Sequence, residues 1–153
     1  NQKQKQTLVR KVKEFYKDDL KGKTFALWGL AFKPKTDDMR DAPSRVIIES
    51  LINAGASVKA YDPEALDEAK RIYGNLPGVS FCSSSDDCLE GADALIIVTE
   101  WKHFWSPDFD KLKEKLSDGV IFDGRNLYDP KQVANSGLIY YAIGRGVRDD
   151  FIK

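Results

Sequence analysis

The run Ala94–Val98, which reads ALIIV, constrains the fold of this chain more than any other feature. Five consecutive apolar residues without polar alternation are typical of a strand inside a parallel sheet, where helices cover both faces. Strand-like and helix-like segments alternate on either side of this run, with short connections between them. The pattern therefore predicts an α/β domain with a doubly wound parallel sheet of about six strands.

The predicted elements follow from hydrophobic periodicity and from the residues that begin and end helices. The first is an amphipathic helix at 3–20, on which Leu8, Val9, Val12 and Leu20 recur at helical spacing. Strands are predicted at 24–28, 57–61, 79–82, 94–98, 120–122 and 138–141. Further helices are predicted at 43–54, 64–73, 86–90, 109–116 and 130–135.

Composition excludes several classes of partner. The chain has 24 Lys+Arg and 24 Asp+Glu, and this zero net charge argues against a nucleic-acid groove or an anionic membrane surface. No apolar run approaches the roughly 18 residues of a membrane span, and no signal peptide is visible. The spacing of Cys82 and Cys88 matches no common metal signature, and with one histidine it predicts no metal site. We expect both cysteines to be small buried or half-buried residues of a cytoplasmic protein.

The segments that directly follow the strands are the predicted ligand site, because doubly wound sheets bind ligands outside the carboxyl ends of their strands. These segments are 29–41, 61–63, 99–105 and 123–126. They contain two of the three tryptophans, the only histidine and several basic residues. Aromatic side chains with a few placed cations suit a phosphorylated ligand that contains a ring.

The loop after the first predicted strand is unusually long. Gly29 follows the strand, yet no G-x-G-x-x-G appears, and six charged residues lie before the next helix. Lys33 and Lys35 flank Pro34, which stiffens the chain. Since strand-to-helix connections normally have about 2–6 residues, the length favours a functional loop. The alternative is a solvated loop whose charges pair among themselves.

Other residues in these segments have two interpretations each. Asp62 is placed to contact a ribose, but as the residue before Pro63 it is more simply a helix N-cap. His103 is a candidate base without an evident nucleophile, or a partly exposed structural residue. The group Trp101, Phe104 and Trp105 is either domain packing or a stacking surface, and Arg125 is equally open between function and structure. No catalytic constellation is visible, so the residues alone predict a binding domain.

Five motifs, in order along the chain, resemble a known family. They are GLAFKPKTDDMRDAPS at 29–44, YDP at 61–63, VTEW at 98–101, FDGRN at 122–126 and YYAIGRG at 140–146. Together they resemble the C-terminal UDP-binding domain of the UDP-glucose/GDP-mannose dehydrogenase family, which is Rossmann-like in fold. TEW and DGRN favour the UDP-glucose 6-dehydrogenase branch. The opening N-x-x-Q resembles the end of the long central helix of that family.

The resemblance implies an activity for a longer parent protein. Such enzymes oxidise the C6 alcohol of a nucleotide sugar to a carboxylate, with two NAD+ and a cysteine nucleophile that forms a thiohemiacetal and then a thioester. The resemblance also implies a role in polysaccharide biosynthesis, without showing which pathway uses the UDP-glucuronate. In the family the catalytic cysteine and the NAD domain lie upstream of the C-terminal domain. Neither Cys82 nor Cys88 falls in that motif, so no catalytic residue is expected here and the isolated chain is predicted to be inactive.

The resemblance also assigns site residues. Phe32 and Lys33 match the loop positions that contact the nucleotide sugar, and Arg125 matches a substrate-binding arginine. Arg40 matches the loop arginine that reaches NAD in the cleft between domains. The implied division is residues 1–22 as the end of the interdomain helix and 23–153 as the UDP-sugar-binding domain. The implied partners are UDP-glucose or UDP, the N-terminal NAD-binding domain, and a second copy of the full-length protein in a homodimer.

Two alternatives stay open. The chain could belong to a dehydrogenase of another nucleotide sugar, such as GDP-mannose or UDP-N-acetylmannosamine. It could instead be a stand-alone nucleotide-binding or interaction module, because a fold alone does not fix a function.

Overall fold

The computed structural model describes residues 2–31, 33, 35, 37–40 and 42–143, with side chains from residue 6 onwards. The strands are β1 (Thr24–Trp28), β2 (Ser57–Tyr61), β3 (Val79–Phe81), β4 (Ala94–Ile97), β5 (Val120–Asp123) and β6 (Ile139–Ala142). The α-helices are α1 (Gln2–Phe15), α2 (Pro43–Asn53), α3 (Leu66–Tyr73), α4 (Phe109–Lys115) and α5 (Pro130–Asn135). Single 3₁₀ turns lie at Asp87–Leu89 and Lys102–Phe104.

The six strands form one parallel sheet in the order β3-β2-β1-β4-β5-β6. This confirms the predicted doubly wound, Rossmann-like fold with an N-terminal helix. The strand order reverses between β1 and β4, whose register places Ala26 opposite Leu95 and Trp28 opposite Ile97. In doubly wound sheets, ligands bind outside the carboxyl ends of the strands near such a reversal.

Two hydrophobic clusters cover the two faces of the sheet. On β1, Phe25 and Leu27 belong to the cluster under α1, α2 and α3. The alternate residues Ala26 and Trp28 belong to the other cluster, with Phe104 and Leu112. All four residues of β4 are fully buried in the same alternating way. This two-sided burial explains the unbroken apolar run at Ala94–Val98.

The N-terminal helix is shorter than predicted, because α1 ends at Phe15 and not at residue 20. Lys17 and Asp18 adopt left-handed backbone angles, with φ of 54° and 61°. The Asp18 N–H donates to the Lys13 carbonyl at 2.8 Å and closes the helix end. Leu20 is still buried, but it reaches the core through this turn. The four-residue spacing between Tyr16 and Leu20 therefore wrongly predicted that the helix continues to residue 20.

Two other predicted helices differ at their ends. Helix α3 begins at Leu66, two residues later than predicted, because residues 63–65 form a turn. The helix predicted at 86–90 is only the 3₁₀ turn Asp87–Leu89. In both places a polar side chain organises the backbone before a regular helix can form, as Ser84 does by accepting from the Asp87 N–H at 3.1 Å.

Within the described residues, no helix is long and apolar enough to cross a membrane. The same part of the chain contains no group of three or more His, Cys, Asp or Glu side chains placed to hold a metal ion.

Candidate nucleotide-binding edge

Backbone geometry at the start of the β1–α2 loop depends on one glycine. Gly29 has φ of +101°, a conformation that L side chains rarely adopt, and its N–H donates to the Tyr61 carbonyl at 2.8 Å. A Cβ at this position would lie 2.5 Å from both Cβ and Oγ1 of Thr99. The glycine therefore lets the loop leave β1 in direct contact with the segment that follows β4. Gly29 therefore allows the β1–α2 loop to pack closely against the segment that follows β4.

Asp62 lies fully buried at the end of β2 and accepts hydrogen bonds on both oxygens. Oδ1 accepts from the N–H groups of Glu64 and Ala65, each at 2.8 Å. This caps the turn that leads into α3, so the predicted capping role is correct, although the helix starts later than expected. Burial of the carboxylate leaves it unable to contact a ribose in this structure.

Phe32 and Lys33 carry the predicted contact to a nucleotide sugar. Phe32 lies outside the described residues. Lys33 is exposed, two residues beyond the buried Ala31. Lys33 therefore belongs to the loop that leaves the carboxyl end of β1, and its role in binding stays a prediction.

Arg40 folds back onto its own loop. Its Nε and Nη2 donate to the two carboxylate oxygens of Asp38 at 3.1 and 3.0 Å, and its backbone N–H donates to Asp38 Oδ1 at 2.9 Å. The guanidinium side chain is 86% exposed, whereas Met39 between the two residues is buried. Local pairing of this kind was the alternative interpretation of the charged loop, and it accounts for Asp38 and Arg40 in this structure.

The Asp38–Arg40 pair predicts a measurable acid titration. Hydrogen bonds from the Arg40 side chain and backbone lower the pKa of Asp38 from 3.8 to about 2. A depressed folded-state pKa means that the pair stabilises the loop above pH 3.8 and loses this contribution as the pH falls through about 2. We expect a carboxyl-carbon NMR titration to give a midpoint near 2, which Arg40→Gln moves towards 3.8.

A matched control for this titration is Lys111→Gln, which removes a cation from a surface pair with Asp86 at 2.9 Å. This change should leave the Asp38 midpoint where it was. High salt should raise the midpoint, since the pair is exposed and screened. A midpoint near 3.8 in the unsubstituted chain would contradict the geometry.

The segment after β5 is organised by a second buried aspartate, Asp123. Its Oδ1 accepts from the Arg125 N–H at 2.8 Å, and its Oδ2 accepts from the Leu127 N–H at 2.7 Å and from the Tyr140 hydroxyl at 2.6 Å. Asn126, in between, has a left-handed φ of 59°. This carboxylate shapes the turn that presents Arg125. No role for Asp123 was predicted, although an acidic residue at the end of a buried strand is a sequence signal for such a turn.

Arg125 itself is exposed and forms an ion pair with Glu100, which lies in the segment after β4. The two residues come from adjacent loops at the carboxyl edge, so the pair spans the space between β4 and β5. Exposed pairs of this kind contribute about 0–1 kcal/mol, and a diphosphate group competes well for such a guanidinium.

Of the aromatic residues after β4, Phe104 packs in the core and Trp105 is exposed. Phe104 is fully buried and stacks on Trp28 with ring centroids 5.1 Å apart. Its carbonyl accepts from the Tyr128 hydroxyl at 2.6 Å, and burial raises the pKa of Tyr128, which keeps that hydroxyl a donor. Trp105 is 52% exposed. The packing interpretation is therefore correct for Phe104, whereas Trp105 remains available for a contact.

His103 has a neighbour that the sequence did not reveal. Its Nε2 lies 3.1 Å from Ser85 Oγ, beside a cleft of about 300 Å³ that Trp28, Leu89 and Leu112 also line. In the part of the chain that the structure describes, no carboxylate contacts the imidazole, so the pair lacks a group to orient it. This supports a structural role for His103.

The two cysteines have the burial that was expected. Cys88 is buried and Cys82 is half-buried, and both are free thiols. Burial, together with the neighbouring Cys82, raises the pKa of the Cys88 thiol. A protonated buried thiol is a poor nucleophile.

Comparisons with known proteins decide which family this edge belongs to. The family model described as the UDP-glucose/GDP-mannose dehydrogenase family, UDP binding domain, matches residues 26–130. The chain belongs to this family. The matched range begins in β1 and ends at the first residue of α5, so it includes all four segments of the candidate edge.

Curated relatives agree with this membership. UDP-glucose 6-dehydrogenase from Pseudomonas aeruginosa is 43% identical over 148 residues, which cover 95% of this chain and 33% of that protein. UDP-glucose 6-dehydrogenase from Rhizobium meliloti is 39% identical over 145 residues, with 95% and 32% covered. The chain thus spans about a third of the length of these relatives.

Solved structures of the family share the fold. A UDP-glucose dehydrogenase from Pyrobaculum islandicum superimposes with a TM-score of 0.74 at 27% identity, over 92% of this chain and 29% of that one. The NDP-N-acetyl-D-galactosaminuronic acid dehydrogenase from Methanosarcina mazei gives the same TM-score at 29% identity, over 92% and 28%. Since both match the chain equally well in three dimensions, the fold does not distinguish between their sugars.

Proposed function

We propose that this domain binds the UDP part of UDP-glucose within an NAD-dependent UDP-glucose 6-dehydrogenase, which converts UDP-glucose and two NAD+ to UDP-glucuronate and two NADH. One observation carries the proposal: in a UDP-binding domain of this family, the loops that contain Lys33 and Arg125 both leave the carboxyl edge of the sheet. The strand order reverses between β1 and β4, and ligands of doubly wound sheets bind near such a reversal. A diphosphate needs cations on two sides, and this edge supplies them from β1 and β5.

The chain's own residues would bind and orient the substrate. Lys33 and Arg125 neutralise the diphosphate, and Phe32 contacts the nucleotide sugar. To do so, Arg125 gives up its ion pair with Glu100 and binds a phosphate oxygen instead. Arg125 can form two parallel hydrogen bonds with one phosphate group, because its guanidinium is planar. Holding the diphosphate fixes the sugar relative to the rest of the enzyme, which lowers the entropy cost of the reaction.

NAD+ would accept the hydride, and Arg40 is the residue of this chain that would contact it. A guanidinium that is 86% exposed can reach a ligand held by another domain once it releases Asp38. The remaining NAD contacts would come from an N-terminal NAD-binding domain of the same protein. In this proposal residues 1–22 are the end of the interdomain helix, residues 23–153 are the UDP-sugar-binding domain, and the full-length protein is a homodimer.

Isothermal titration of the chain with UDP and with GDP tests the proposal. We expect UDP to bind at least about tenfold more tightly than GDP, a difference of about 1.4 kcal/mol. With UDP-glucose and NAD+ together, the isolated chain should produce no NADH. A preference for GDP would favour a GDP-mannose dehydrogenase, and binding of neither nucleotide would favour an interaction module.

A further inference from the structure

The two residues that lead into the predicted nucleotide contacts, Leu30 and Ala31, have their backbone held by side chains from other elements. The N–H groups of Leu30 and Ala31 donate to Asp62 Oδ2 at 2.7 and 3.1 Å. The Leu30 carbonyl accepts from Ser44 Oγ at 2.6 Å, and the Ala31 carbonyl accepts from Thr99 Oγ1 at 2.8 Å. Every polar backbone group of Leu30 and Ala31 is thereby paired with a buried side chain.

These side chains come from three separate parts of the fold. Ser44 is in the first turn of α2, Asp62 follows β2, and Thr99 follows β4. All three are at most 1% exposed. A loop backbone normally exchanges hydrogen bonds with water, whereas this segment is fixed to the sheet from three directions. Its position is therefore set by tertiary structure up to the residue before Phe32.

Asp62 is the centre of this arrangement. Besides Leu30 and Ala31, its Oδ2 accepts from the Trp101 indole Nε1 at 3.3 Å, and its Oδ1 accepts from Glu64 and Ala65. One carboxylate thus joins the segments that follow β1, β2 and β4. Five N–H donors compensate the cost of burying its charge.

We propose that Asp62 is a positioning residue for nucleotide binding, which acts through the backbone of Leu30 and Ala31 on Phe32 and Lys33. This inference rests on the proposed function. Because Lys33 is only two residues from Ala31, fixing Ala31 restricts the volume that the ammonium group explores before a ligand arrives. Preorganisation of this kind raises affinity by lowering the ordering cost of binding. Asp62 is fully buried, so it cannot act by touching the ligand.

The test is Asp62→Asn, with UDP affinity measured by isothermal titration of the full chain. The amide offers one acceptor oxygen where the carboxylate had two, so at least two of the five N–H groups lose their partner whichever way it turns. We expect UDP affinity to fall about tenfold, since a misplaced binding group weakens an interaction without leaving the site. Hydrogen exchange at the Leu30 and Ala31 amides should become faster.

Asp93→Asn is a matched control at the opposite edge of the sheet. Asp93 Oδ2 accepts from the N–H of Thr24, the first residue of β1, at 2.8 Å. The same change of charge there should lower stability and leave UDP affinity unchanged. Trp101 adds a spectroscopic readout, because its indole N–H resonance should move in Asp62→Asn while those of Trp28 and Trp105, which donate to carbonyls, stay in place.

If Asp62→Asn does not fold, Ser44→Ala tests the same segment. It removes the partner of the Leu30 carbonyl from a fully buried position that no ligand reaches. We expect a loss of UDP affinity of about threefold, roughly half of the expected Asp62→Asn effect on a logarithmic scale. Unchanged affinity in the folded variant would overturn the inference and leave the proposed function intact. Absence of UDP binding by the unsubstituted chain would overturn both.

Discussion

Replacing Gly29 with alanine should lower the free energy of unfolding by about 3 kcal/mol, because backbone strain and steric overlap act together. The φ of +101° is unfavourable for a side chain, and the new Cβ would lie 2.5 Å from Thr99 Cβ and 2.7 Å from Thr99 N. Thr99 cannot move away freely, since its hydroxyl is bonded to the Ala31 carbonyl at 2.8 Å. Urea denaturation followed by tryptophan fluorescence measures the loss.

Gly22→Ala separates the two causes. Gly22 also has a positive φ, +77°, but nothing lies within 4 Å of a Cβ built there. This variant should lose only the strain contribution, about 1 kcal/mol. If both variants lose the same free energy of unfolding, contact with Thr99 does not contribute to the loss in Gly29→Ala. The loop would then be able to leave β1 by another route.

Replacing Arg125 with alanine should weaken UDP binding about 10- to 100-fold, since a hydrogen bond to a charged group contributes about 1.5–3 kcal/mol. Arg125→Lys should fall between alanine and the native chain, because an ammonium keeps the charge but loses the planar pair of donors. Lys33→Ala should also lower UDP affinity. Isothermal titration at low and at moderate salt measures each change.

The control for Arg125 is Arg71→Ala, which removes another exposed arginine that pairs with a glutamate. Arg71 Nε donates to Glu68 Oε1 at 2.7 Å on α3, outside the four segments that follow the strands. Its loss should not change UDP affinity. If Arg125→Ala binds UDP as tightly as the native chain does, Arg125 is not a ligand contact and its ion pair with Glu100 is only structural.

The sequence predicted the fold because the signals for it are local. Periodicity of two and of 3.6 residues, with Gly55 and Pro63 as boundaries, places each element within a few residues of its observed position. Alternation of strands and helices then determines a parallel sheet, and a parallel sheet brings all the following segments to one edge. The same reasoning failed at Lys17 and Asp18, where two left-handed residues interrupt a helical pattern that the buried Leu20 continues.

Contacts between residues at the carboxyl edge of the sheet were much harder to predict from the sequence. Asp62 meets Leu30 across 32 positions and Trp101 across 39, and Ser85 meets His103 across 18. Nothing in the local sequence connects these pairs, because each depends on which strands lie side by side. The capping role of Asp62 was predictable from its local neighbours, whereas the three donors from distant segments were not.

By itself the sequence determined the order of the elements, the edge where we propose that a ligand binds, and the residue types available there. Only the tertiary structure decided which partners those residues have. Arg125 pairs with Glu100, and Arg40 pairs with Asp38. The backbone of Leu30 and Ala31 is bonded to the side chains of Ser44, Asp62 and Thr99. The physical reason is that secondary structure arises from interactions between near neighbours in the chain. The geometry of a binding edge arises instead from buried polar groups that must find partners in distant segments.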